Sequence, residues 1–286
     1  MSRIGPPNPN ASSLTIHRTD GEVAGVREME ALSPAAWLGA RREGIGASDV
    51  PAILGVSPWV TPLAVYAAKR GLLDDQEETE AMRWGILLEP VVAARYVETT
   101  GRPVQDEPWT IHVGAEPWML ASLDRVITAA EGLAVPAPLE IKTTRAVDQW
   151  HDEPPVHVQV QVQWQMLVTE TEWAAIAVLL QGQELRTYDV PVNPRFAAVM
   201  LERVREFRRR VELGDPPPAS ASDREVLAAL YPRSEAQTVA LPAEALDWDG
   251  KIAEAKREIE RWTAVKDEHE AFVKACLGPA DRGVLP

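Results

Sequence analysis

From Val156 to Gln163 valine alternates with His or Gln at every step, and the run continues as Trp164-Gln165-Met166-Leu167-Val168-Thr169. A period of two sends successive side chains to opposite faces, and by period alone the segment is a half-buried strand. Shorter strands flank it. In Leu139-Glu140-Ile141-Lys142 the residues Glu140 and Lys142 share one face, while Leu139 and Ile141 share the other. Val126 and Ile127 favour the pleated state, and Gly132, Pro136 and Pro138 interrupt anything helical between these two stretches. Residues 103–113 and 117–127 read as a strand pair feeding Asp124, and Trp173 to Leu180 with Glu184 to Val190 read as a hairpin around Gly182.

Helical segments carry their own punctuation. Ser33 caps a helix that opens on Pro34 and ends at Arg41-Arg42-Glu43-Gly44. GIGASD (44–49) is a glycine-permitted turn into a short helix, Val50 to Leu54, with Ser48 or Asp49 as its N-cap. Thr61-Pro62 starts a helix that closes at Gly71, and an acidic loop follows from Asp74 to Glu80. The next helix, Glu80 to Thr99, stops at Gly101 and sets Glu89 on one face with Val92, Ala93 and Tyr96. Pro194 opens a helix to about Leu213, ended by Gly214 and Pro216-Pro217-Pro218. The last helix, from Pro242 or Ala243 to about Leu277, is charge-alternating with a thin apolar stripe through Ile252, Ala255, Ile259, Trp262, Val265 and Phe272, which suits packing on the body or on a partner. The expected organisation is a poorly ordered segment over 1–30, a core over 31–214, a linker or edge segment over 215–242 and a helical arm over 243–286.

Composition narrows the setting. A hydrophobic content of 45% supports a sizeable core, and the single cysteine, Cys276, excludes a disulfide within the chain and any Cys-based zinc site. The N-terminus has no apolar core of signal-peptide length and no run of 18 apolar residues occurs, so the expectation is a soluble, cytoplasmic protein with no membrane partner. A net charge of −14 argues against indiscriminate affinity for nucleic acid. An acidic exterior around a basic groove would instead confine such binding to the groove.

The candidate chemistry lies between Leu120 and Thr144. An antiparallel partner strand brings Asp124 beside Glu140 and Lys142, and two carboxylates with one ammonium make a hard-cation site with a positioned base or phosphate ligand. The alternative is a solvated face, against which stands the apolar company of Glu140 and Lys142. Glu89, in an apolar stripe, needs a partner; otherwise it is a helix-edge glutamate reaching water. The turn before Val50 is either a phosphate seat, with its free N–H groups, hydroxyl and nearby arginines, or an ordinary capped turn. Trp59 is expected to pack, the alternative being to stack on a base. Five arginines between 203 and 210 are either a solvated face at a helix C-terminus or a track for a DNA backbone.

Asp, a variable gap, then Glu-x-Lys at the end of a strand resembles the PD-(D/E)XK nuclease core. GIGASDVPAILGVSPWVTP (44–62), WGILLEP (84–90), ASLD (121–124), LEIKTT (139–144) and QVQWQMLVT (161–169) resemble, in that order, the YqaJ-type phage recombination nucleases, relatives of lambda exonuclease. The resemblance covers roughly residues 36 to 212 and implies a mixed α/β fold, a central mixed sheet flanked by helices, with the C-terminal helical arm appended. It also implies that Val156 to Thr169 is a helix despite its period, with Gln161 and Gln165 on one face. By the same resemblance Glu89, Asp124, Glu140 and the carbonyl of Ile141 hold Mg²⁺, for which Mn²⁺ substitutes. Asp124, Glu140, Lys142 and Gln161 form the catalytic set, Lys142 serving the attacking water or the phosphorane and Gln161 positioning either. In the family, residues matching Arg41 and Ser48 lie at the terminal-phosphate seat; in this chain Ser122 offers a further hydroxyl there, and Arg125 and Arg145 are candidate phosphate contacts. The chain departs from the family's Ser-Pro-Asp-Gly pattern, having Ser122-Leu123-Asp124-Arg125. The implied activity is Mg-dependent 5′→3′ digestion of linear double-stranded DNA for recombination by strand annealing, in a host cytoplasm. The implied partners are DNA ends, a single-strand annealing protein and further copies of the chain in a trimeric ring. The alternatives are an endonuclease or nickase with the same site, and a non-catalytic DNA-end binding module.

Overall fold

The computed structural model describes residues 27–29, 33–73, 79–233, 236 and 238–285. The acidic loop expected at 74–80 lies outside them up to residue 78, as does the segment 1–30 apart from 27–29. In chain order the elements are β1 (Arg27–Met29), α1 (Pro34–Glu43), α2 (Val50–Ile53), α3 (Pro62–Lys69), α4 (Glu80–Thr100), β2 (Val104–Gln105), β3 (Ile111–Val113), β4 (Leu120–Ala121), β5 (Arg125–Ile127), β6 (Ala137–Thr144), α5 (Val156–Thr169), β7 (Trp173–Leu180), β8 (Glu184–Pro191), α6 (Pro194–Leu213), α7 (Arg224–Leu230) and α8 (Ala245–Leu277). No described helix is long and apolar enough to cross a membrane.

A five-stranded mixed sheet, in the order β2-β5-β6-β7-β8, forms the centre. Only β6 and β7 run parallel, and α5 is the crossover that parallel neighbours require. On one face α4 packs Val92, Ala93 and Tyr96 against Ile127, Leu139 and Ile141. On the other, α5 packs Val158, Val162 and Met166 against Ala174, Ile176 and Val178 of β7. The opposite side of α5 places Val160, Trp164 and Val168 in a helical layer with α2, α3 and α6. This explains the misleading period of the segment. Positions 158-162-166 and 160-164-168 are two i,i+4 stripes offset by two residues, roughly 200° apart around a helix. A helix apolar on two opposite faces therefore alternates like a strand.

Caps fall largely where expected. The side chains of Ser33, Thr61, Thr79 and Asn193 accept backbone N–H groups at the starts of α1, α3, α4 and α6. Gly101 closes α4 with φ 71°, in the left-handed region open to glycine. Three expectations need correction. Asp49 stands at the N-cap of α2, as expected, but makes no side-chain cap bond; its Oδ2 instead accepts from the Gly46 N–H at 2.9 Å and pairs with Lys69 at 2.6 Å. The strand pair expected over 103–127 is divided between sheets: β2 pairs with β5, whereas β3 joins β1 and β4 in a separate three-stranded sheet. Pro108 and the turn at Trp109 (φ 62°) break the first stretch, and Ser122-Leu123-Asp124 crosses between the sheets in the second. Residues 27–29, expected to lack structure, are the third, since they pair with β3.

The chain divides into two compact units, Met1–Pro232 and Arg233–Pro286. Residues 215–232, expected as linker, belong to the first, where buried Asp223 accepts from Thr61 Oγ1 and Leu227 and Leu230 of α7 pack on the core. The second unit holds one helix among its described residues, the 33-residue α8. Pairs such as Lys251–Asp247 and Lys266–Glu270 line it at i,i+4 spacing. A lone helix has no second element in its own unit to bury Ile252, Ile259 and Trp262.

Gly44 joins α1 to the three-stranded sheet at a point with no room for a side chain. A Cβ there would lie 2.9 Å from the Trp118 carbonyl oxygen and collide with the Leu120 side chain. Gly44→Ala is expected to cost about 1–3 kcal/mol, the usual range for overpacking, read as a lowered urea midpoint with an unchanged slope.

Candidate active site

The site begins with register. Antiparallel pairing of β5 with β6 sets Arg125 opposite Leu139, so Asp124, one residue earlier, reaches the end of β6 where Glu140 and Lys142 project. Asp124 Oδ2 accepts the Ile141 N–H at 2.7 Å. Glu140 is 2% exposed, and its carboxylate is enclosed by donors. Oε1 receives Gln161 Nε2 at 2.7 Å and an ion pair from Lys142, while Oε2 receives Gln165 Nε2 at 2.6 Å. The two glutamines, four residues apart on α5, point at one carboxylate because one turn of helix separates them.

Electrostatics set the tone of this cluster. Burial first, then the negative charge of Glu140, hold the Asp124 carboxyl well above the usual carboxylate range; Lys142 and the Ile141 N–H pull it down, and Glu89 adds to the rise. Burial pushes the Lys142 ammonium down, but Glu140, Asp124 and the hydrogen bond to Glu140 outweigh it and hold lysine above its ordinary value. Lys142 is therefore a firm cation at neutral pH. His157, at the start of α5, is held below its ordinary value by burial and by the charge of Lys142, and its ring meets Trp59 edge-on at 4.9 Å.

The residues expected around the cluster fall into two groups. Arg41 Nη2 donates to Ser48 Oγ at 2.6 Å, its guanidinium lies 4.5 Å from the Trp37 ring centroid, and Trp37 Nε1 donates to Ser122 Oγ at 3.1 Å. Trp37 thus links the three residues expected at a phosphate seat, and Ser122 is two residues from Asp124. Glu89 faces inward from α4 and pairs with Arg125. Arg125, expected as a phosphate contact, is instead buried and paired with Glu89 and Asp106. Arg145 is exposed beyond the end of β6. Trp59, expected to pack, is 76% exposed. Among the five arginines of α6, Arg205 pairs with Glu116, Arg208 with Glu212, Arg209 with Glu206 and Arg210 with Asp215, so these four are balanced by carboxylates.

The donor set suits a hard cation in kind: carboxylates of Asp124 and Glu140 with the main-chain carbonyl of Ile141 are oxygen ligands, and burial first, then the Glu140 charge, leave the ionised Asp124 carboxylate in a setting that a cation would relieve. Among the described residues no group of three or more His, Cys, Asp or Glu is arranged to hold a metal, and Glu89 is turned to Arg125. Sequence reasoning set Gln165 on one face with Gln161 but gave it no role at Glu140; it missed Asp106 and the inward turn of Arg125, for which no local signal exists.

Residues 36–172 match the family described as the YqaJ-like viral recombinase domain. The chain is 31% identical over 208 residues to the protein YqaJ of Bacillus subtilis (strain 168), an alignment covering 70% of this chain. It spans 64% of the length of that relative. The alkaline exonuclease LHK-Exo of Laribacter hongkongensis is similar in fold, with a TM-score of 0.51 at 20% identity over 63% of this chain and 94% of that one. Its complex with dAMP gives 0.50 at 20% identity, over 68% and 96%.

The raised Asp124 carboxyl carries a stability consequence for the metal-free protein. A folded value above the unfolded one favours the neutral acid, so its contribution is present below about pH 3.9, the unfolded value, and is lost as pH rises through the folded value. Asp124→Asn keeps an oxygen for the Ile141 N–H and removes the charge. In EDTA near pH 7.5 it is expected to raise the melting midpoint, by about 2–4 °C per kcal/mol relieved, with the gain vanishing towards pH 4. A lowered midpoint at neutral pH would contradict this.

Proposed function

We propose that this chain, which carries the YqaJ-like viral recombinase domain over residues 36–172, is a metal-dependent deoxyribonuclease that digests linear double-stranded DNA from 5′ ends in phage-type recombination. The observation that carries the reading is the convergence of Asp124, Glu140 and Lys142 where β5 meets β6, within two residues of Ser122, whose hydroxyl Trp37 links to Arg41 and Ser48. The fold shared with an alkaline exonuclease agrees with it.

Asp124, Glu140 and the Ile141 carbonyl would hold Mg²⁺, with Glu89 nearby. Such an ion supplies a water acidic enough to attack a phosphodiester and neutralises charge on the phosphoryl oxygens. The chain's own residues do the rest. Lys142, kept cationic by Glu140 and Asp124, stabilises the charge that builds on the phosphorane rather than removing a proton from water. Gln161 and Gln165 hold Glu140 in place, which fixes both the ligand and the lysine. Arg41, Ser48 and Ser122 offer a cation and two hydroxyls to a terminal phosphate, which would fix the scissile bond one step away. A cation and hydroxyls recognise phosphate and not a base edge, so cutting is insensitive to sequence and weakens with salt.

Two measurements test this. Lys142→Met is expected to lose at least about 10²-fold in rate while still binding a DNA end in Ca²⁺, because its contribution lies in the transition state. Equal losses of binding and rate would make it an ordinary phosphate contact. On three substrates, the wild type is expected to digest 5′-phosphorylated linear duplex fastest, 5′-hydroxyl duplex more slowly and closed circular duplex not at all. Arg41→Ala should erase the difference between the first two. Equal digestion of all three would mean an endonuclease.

A further inference from the structure

The residue after Asp124 is an arginine that faces the protein. Arg125 is 7% exposed and sits on β5, one residue from the Asp124 carboxylate. Its guanidinium forms an ion pair with Glu89 of α4 and another with Asp106, and Nη1 donates to the main-chain carbonyl of Asp124. The two acids differ in setting. The Asp106 side chain is 70% exposed, so water can solvate it, whereas that of Glu89 is 28% exposed and depends more on its partner. A guanidinium stays charged throughout the accessible pH range. Glu89 therefore has a permanent cation beside it.

The charges of the cluster then sort themselves. Lys142 answers Glu140, and Arg125 answers Glu89. Among the described residues Asp124 accepts the Ile141 N–H, and Lys142 acts on it electrostatically. With Glu89 engaged by Arg125, the open oxygen donors of the cluster are Asp124, Glu140 and the Ile141 carbonyl. One divalent ion can be held there; a second would meet the charge of the first, that of Arg125 and a third acid already engaged.

We infer that Arg125 is a resident cation that neutralises and positions Glu89, so that the DNA-free protein takes one divalent ion, at Asp124 and Glu140, rather than two. The inference rests on the metal-dependent reading above. Arg125 is a positioning residue, acting through Glu89 and not on the substrate. Removing it returns the Glu89 carboxylate to the cluster as an oxygen donor and adds one negative charge, both of which favour a further cation.

Calorimetric titration of the full chain with Ca²⁺, without DNA, tests it. The wild type is expected to bind one ion, Arg125→Gln to gain a second and weaker one, and Arg125→Lys, which keeps the charge, to remain at one. Glu89→Gln leaves the Arg125 charge unanswered by Glu89 and should still bind one ion, more weakly; the double variant Arg125→Gln/Glu89→Gln, which lacks the carboxylate that Arg125→Gln sets free, should also stay at one. A wild type that binds two ions would overturn the inference and leave the metal-dependent reading standing. So would an Arg125→Gln protein that stays at one ion with unchanged affinity, or a double variant Arg125→Gln/Glu89→Gln that takes two. Absence of binding by every form would remove both readings. If Arg125→Gln fails to fold, the stoichiometries of the wild type and of Arg125→Lys decide the matter, two ions in either overturning the inference.

Discussion

A buried carboxylate governs this structure. Glu140 is 2% exposed, and an ionised carboxylate without partners in such a place would cost several kcal/mol or would simply take a proton. Its three donors come from two elements: Lys142 from the same strand, Gln161 and Gln165 from α5. The need to enclose it binds α5 to the sheet in one rotation, since only a helix sends two residues four apart to the same point. That rotation in turn turns Val158, Val162 and Met166 to the sheet and Val160, Trp164 and Val168 to the helical layer beyond. The hydrophobic layers and the polar site are thus two consequences of one placement.

The surroundings of the cluster are arranged by the same rule, that charges near it are answered locally. Arg125 holds Glu89, Lys69 holds Asp49, and four of the arginines on α6 are matched by carboxylates. In a chain with a net charge of −14 this leaves no broad basic face on α6. The group of Arg41, Ser48 and Ser122 around Trp37 lies two residues from Asp124. That position beside the acids suits the terminus of a strand, which is why an end-dependent activity is the reading most worth testing.

Local chemistry determined a good deal. Capping residues and glycines bounded α1, α3, α4 and α6, because their effects are exerted within a few residues of themselves. Alternation in Leu139-Glu140-Ile141-Lys142 set the acid and the lysine on one face, because a strand has no other geometry to offer. The apolar stripe of α4 placed Glu89 on the buried side, though not against which partner.

Tertiary structure decided what periodicity cannot express. The segment from Val156 alternates like a strand because it serves two cores at once, and nothing within fourteen residues reveals that both faces will be covered. The strands on either side of Asp124 belong to different sheets, which depends on partners far along the chain. Trp59 lies exposed against His157 and Arg125 lies buried against Glu89, although composition favours the reverse for each. A residue's type sets what its environment must supply; where the chain brings that environment from is settled only when the sheet and helices have closed around it.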